Sequence, residues 1–153
     1  MSQPPFELSV SRFIDAPPDT VWQVMIERLP EWWCPKPWRT EVIDLDWRAG
    51  GRAALAMCGP DGERELTEGV VLEFTPGVRF VFTDALTVDW QPRDAFMIGF
   101  LEISAQGQGT RYTASARHWN EAAMKRHEEM GFVEGWTVVA EQLAALAEAW
   151  ARD

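Results

Sequence analysis

Two histidines, two cysteines and a few carboxylates are the side chains here whose chemistry goes beyond plain charge. His118 shares a face with Tyr112, Ala114 and Ala116 by period two, along a run that reads as a strand. A histidine so placed titrates near neutrality and suits a general base in a pocket. The commoner role is a capped strand-end residue, and that is the one expected. His127 lies three residues before Met130 in a helical stretch and is expected to be solvated or to cap a neighbour. Cys34 and Cys58 form no C-x-x-C pair and read as free buried thiols. No two of Cys34, Cys58, His118 and His127 stand at a ligand-pair spacing, so no metal is expected. Asp84, Glu68 and Glu102 would have raised pKa values in an apolar lumen. One step of register turns a strand residue to the other face, so none of the three is assigned a role.

No G-x-S-x-G, H-E-x-x-H, P-loop or dinucleotide fingerprint occurs, so no catalytic residue and no cofactor is assigned. The formal net charge of −10, with no Lys/Arg cluster, opposes binding to nucleic acid or to an anionic membrane surface. No apolar run approaches the roughly 18 residues of a bilayer span. Met1 to Glu7 has no basic segment leading into an apolar core, and a cytoplasmic protein is expected. The 153 residues, 46% apolar and 25% charged, are expected to form one globular domain over 1–153.

The elements that must position these groups are organised around the C-terminal stretch. Phe132, Trp136, Val139, Leu143, Leu146 and Trp150 recur at steps of four and three, the spacing of one apolar stripe on a long helix. Gly131 and Gly135 sit beside that stripe. A helix-interior glycine costs about 1 kcal/mol relative to alanine, so the pair suggests close approach by a sheet or a ligand. Before this helix, Phe6 to Ile14 alternates as a first strand, and Val21, Trp22, Met25 and Leu29 make a short amphipathic helix ended by Pro30. Further strands are expected at 41–47, 52–58, 63–74, 78–84, 96–105 and 110–119, punctuated by turns such as Gly59-Pro60-Asp61-Gly62. Strand, helix, about six strands and a long helix is an α+β order: a curved antiparallel sheet with the terminal helix across its concave face. Trp32, Trp33, Trp38 and Trp90, four of nine tryptophans, fall in stretches that read as loops. Loop tryptophans often line pockets or contact partners.

Asp46-Trp47-Arg48-Ala49-Gly50-Gly51-Arg52, then Met57, Gly59 to Gly62, Gly69, Glu73 and Phe80 to Asp84 carry a resemblance, joined by Trp32-Trp33, Pro35, Met130 to Phe132 and Gly135-Trp136. Together they resemble the START-like (SRPBCC) superfamily, in its branch of Hsp90 ATPase activator homologue-like proteins. The match runs from about Phe6 to Ala149, and Cys34 departs from the glycine often found before the proline. The resemblance implies a helix-grip fold, a six- to seven-stranded sheet wrapped round the C-terminal helix with a cavity between them. Ala53, Ala54, Ala56, Ala114, Ser115 and Ala116 place small side chains on two strands, consistent with such a space.

The first reading is therefore a non-catalytic binder of a small hydrophobic or aromatic molecule, with Trp33, Met57, Phe82, Trp90, Met130, Val133 and Trp136 as walls. The resemblance also implies a second reading, a chaperone-associated interaction module, for which the extra N-terminal domain of eukaryotic activators is not expected here. An enzyme resembling the polyketide cyclases, with His118 as base, ranks below both because no second catalytic partner can be named. The tryptophans of the 32–38 loop leave a homodimer contact and a pocket lid equally open.

Overall fold

Turn residues between short β-prone runs set the course of the chain. The computed structural model describes residues 5–153; Met1 to Pro4, most of the stretch read for a leader, lie outside the described residues. In order, the elements are β1 (Glu7–Ile14), α1 (Pro18–Glu27), α2 (Leu29–Trp32), β2 (Arg39–Leu45), β3 (Arg52–Cys58) and β4 (Arg64–Thr75). They continue with β5 (Arg79–Thr83), β6 (Ile98–Gln106), β7 (Gly109–Arg117), α3 (Glu121–Glu129) and α4 (Phe132–Arg152). The seven strands form one antiparallel sheet in the order β1-β7-β6-β5-β4-β3-β2. The meander β2 to β7 is closed by β1, whose Glu7 pairs with Arg117 and Ile14 with Thr110. Register shifts between Val42 and Asp44 in β2, and between Val71 and Glu73 in β4, add the local bend that curls a sheet.

Two helical details differ from the reading of the sequence. Pro30 does not end the first helical segment. It occupies the first turn of α2, where a missing N–H costs nothing, and Trp32 is thereby carried on a helical turn and fully buried. The long terminal helix is in fact two. Gly131 adopts φ +94°, a left-handed conformation open to glycine, and separates α3 from α4. Asn120 starts α3, its side-chain oxygen accepting from the Ala123 N–H at 2.8 Å.

The core lies where α4 crosses the β1-β7-β6 half of the sheet. Phe132, Val139 and Leu143 of the predicted stripe are buried, and Ala140, Ala144 and Ala147 beside them let the helix seat closely. Val139 and Leu143 belong to one cluster with Ile14, Val21, Met25, Leu101 and Ala114. The other half of the concave face, β3 to β5, faces Trp33 and Trp47 instead of the helix body. Among the described residues, no helix is long and apolar enough to cross a membrane.

Candidate functional site

That uncovered half-sheet becomes a cavity because one loop is tied over it. Gln142 of α4 donates to the carbonyl oxygens of Trp32 at 3.1 Å and Cys34 at 2.9 Å, and accepts from the Lys36 N–H at 3.0 Å. The anchored loop projects Trp33 over the sheet, edge-on to Phe82 at 6.0 Å and to Trp136 at 5.7 Å. Three contiguous chambers share Trp33 as a wall. The smallest holds about 40 Å³ among Leu29, Leu45, Trp47, Val71, Phe80 and Phe82. The middle one holds about 180 Å³ and is bounded by Leu55, Met57, Gly69, Phe82, Phe96 and Met97. The widest, about 300 Å³, opens between Met57 and Met97 on one side and Met130, Gly135, Trp136 and Val139 on the other. A Cβ placed on Gly135 would meet nothing within 4 Å, so this glycine borders open space and admits no close backbone neighbour.

The polar groups at the cavity are few and mostly occupied. Asp84 accepts from the Phe96 N–H at 2.9 Å and the Met97 N–H at 3.2 Å, which ties the 84–97 loop down. Glu68 is paired with Arg52 at 2.8 Å, and this partner holds its carboxyl below the usual range. Glu102 instead pairs with Arg79 at 3.4 Å and lines none of the three chambers. Thr67 and Thr83 give their hydroxyls to the Leu55 and Met97 carbonyls, and the widest chamber adds the Cys34 thiol and His127, whose Nδ1 stands 2.9 Å from Nε2 of His118. His118 in turn donates from Nδ1 to the Phe6 carbonyl oxygen at 2.8 Å. Burial, with the neighbouring His118 adding to it, pushes the His127 imidazole down to about 4.

The sequence matches the family model described as Activator of Hsp90 ATPase homolog 1-like protein over residues 15–148. The chain belongs to that family. The family is a branch of the START/SRPBCC superfamily. A crystal structure of a Nitrosomonas europaea protein is 34% identical, covering 96% of this chain and 97% of that one, with a TM-score of 0.88. A Mycobacterium smegmatis protein is 26% identical, covering 92% and 90%, with a TM-score of 0.76. A Silicibacter pomeroyi protein titled AHSA1, at 22% identity and a TM-score of 0.67 over 91% and 95%, shares the fold. No curated protein matches the chain.

In this Hsp90 ATPase activator homologue-like chain, five of the seven proposed walls border the chambers: Trp33, Met57, Phe82 and Trp136, with the largely exposed Met130 at the rim. Trp90 does not. It sits at φ +65° in a turn closed by its own N–H to the Thr87 carbonyl, and its ring lies 61% exposed over Gly50. Val133 follows Phe132 by one residue, about 100° round the helix, and is turned to solvent. Trp32, read with the exposed loop, is buried in the core, so the lid carries Trp33 without it. Of the small strand residues, Ala53 borders the cavity while Ala54 and Ala56 lie on the opposite face of β3, and Ala114 packs against α4. Ser115 points outward to Ser9 at 3.1 Å.

His127 is one of several cavity walls that the sequence reading did not name, with Phe96, Met97 and Cys34 among the others. Expected to be solvated or to cap a neighbour, it is buried among Phe96 at 4.5 Å, Phe132 at 5.0 Å and Trp136 at 5.9 Å. The available signal was its three-residue step from the half-buried Met124, which puts both on one face of α3. His118 has both ring nitrogens engaged and lines none of the chambers, so it is the strand-end residue expected and has no nitrogen free to act as the base of a pocket enzyme.

Proposed function

We propose that this protein binds a small hydrophobic or aromatic molecule, without transforming it, in the cavity between the concave sheet and α4. One observation carries the reading: three chambers with shared apolar walls meet beneath Trp33. A cavity of this size lined by aromatic and methionine side chains suits a flat apolar guest, because methionine adapts to its outline and tryptophan gives broad contact. Trp33 and Trp136 make guest entry visible as a change in tryptophan emission. Titration with fatty acids, flavonoids and polyketide-like aromatics tests the proposal, and native mass spectrometry of freshly purified protein looks for a retained guest. Saturable quenching that disappears in Trp33→Ala is expected. The absence of any saturable response across the panel would reject the proposal.

The family description favours a second reading, a module acting on a chaperone ATPase. Its test is direct: an excess of this protein changes a chaperone's ATP turnover, or this reading fails.

A further inference from the structure

The histidine pair adds to the cavity a feature of its own, resting on the reading that a guest binds there. A carbonyl oxygen only accepts, so His118 Nδ1 must donate to Phe6. A neutral His118 then has a bare Nε2, which accepts from the Nδ1–H of His127 at 2.9 Å. One proton per neutral imidazole leaves His127 Nε2 bare as well. The two nitrogens leave the ring on opposite sides, so a ring whose Nδ1 is turned to His118 directs Nε2 away from it. His127 is a wall of the widest chamber, and its Nε2 makes no hydrogen bond among the described residues.

We propose that the Phe6–His118–His127 relay holds His127 Nε2 as a bare hydrogen-bond acceptor in a chamber whose other side chains, the Cys34 thiol apart, are apolar, and that the guest is a small apolar molecule carrying one hydroxyl or N–H donor. Phe96, Phe132 and Trp136 pack against the His127 ring and bring no acid to it. A hydrocarbon of the same shape would cover Nε2 without bonding to it. Leaving a buried acceptor unpaired lowers affinity by about tenfold or more.

Two measurements test this. Long-range proton–nitrogen correlation spectra of the wild-type protein at neutral pH should show His127 as the Nδ1–H tautomer, against the Nε2–H form that a solvated histidine side chain prefers. A proton on His127 Nε2 overturns the proposal and leaves the cavity reading untouched. The second measurement compares 2-naphthol with 2-methylnaphthalene by tryptophan quenching. The naphthol should bind about tenfold tighter than the hydrocarbon to wild type, and in His127→Phe the two should bind alike; a preference that survives the substitution overturns the acceptor proposal. Equal affinities in wild type overturn the acceptor proposal alone. Failure of both compounds to bind overturns the cavity reading and this proposal with it.

Discussion

Gln142 donates to the carbonyl oxygen of Cys34 at 2.9 Å, and this bond joins α4 to the loop that roofs the cavity. With the bonds to Trp32 and Lys36, the same amide serves three backbone groups. Gln142→Glu keeps the shape but turns two donated bonds into oxygen facing oxygen. It is expected to cost about 2–3 kcal/mol and to weaken guest binding, because Trp33 is no longer held. A denaturant midpoint equal to wild type would show that the loop is held by its apolar contacts alone.

Gly135 borders empty space, so adding a side chain there separates helix propensity from packing. Gly135→Ala is expected to raise stability by up to about 1 kcal/mol, since alanine is the better helix former and meets nothing. Gly135→Leu reaches into the widest chamber and should lower guest affinity by about tenfold without lowering the melting temperature. A melting temperature reduced in Gly135→Ala would mean that the helix backbone is closely packed at this point.

Gly99 and Gly69 make a contrasting pair. A Cβ at Gly99 would run into the Phe82 ring, whereas one at Gly69 would run into the Thr83 carbonyl, which is backbone. Gly99→Ala should cost about 1–3 kcal/mol through overpacking, and Phe82→Leu in the same chain should recover much of it. Gly69→Ala should cost more and gain nothing from Phe82→Leu. Urea unfolding of the four variants checks both statements, and rescue of Gly69→Ala would contradict the second.

His127 makes stability depend on pH, and the sign follows from its lowered value. Its imidazole titrates at about 4 in the folded protein, against an unfolded value of about 6.5. Between these two values the unfolded chain binds a proton that the folded chain refuses. Stability is therefore complete above about pH 6.5 and falls as pH drops toward about 4, by on the order of 2–3 kcal/mol. The rings packed on His127 include one other titratable group, His118; a proton added at His127 Nε2 leaves the Nδ1–H donated to His118 in place, so the loss comes from charging a buried ring. In His127→Phe, urea midpoints between pH 4.5 and 7 should lose this slope. A slope unchanged by the substitution would assign the acid sensitivity to other groups.

Much of the architecture was legible because it is local. Period-two alternation and Gly/Pro turns marked every strand within a few residues, and the four-and-three stripe marked α4. Gly131 and Gly135 were both conspicuous, but their different jobs were not: one breaks the helix at a positive φ and the other opens onto the cavity. Spacing reports which residues share a face. It does not report what lies opposite that face.

By itself, the sequence determined the succession of strands along the chain, the amphipathic terminal helix and the family, since these follow from periodicity and from motifs in fixed order. Only the tertiary structure decided that Trp90 lies outside, that Trp32 is core, and that His127 is buried against His118. Those outcomes depend on contacts such as Phe96 with His127 and Gln142 with Cys34, which join distant parts of the chain. Burial is a property of what arrives to cover a residue, and no local pattern encodes that arrival.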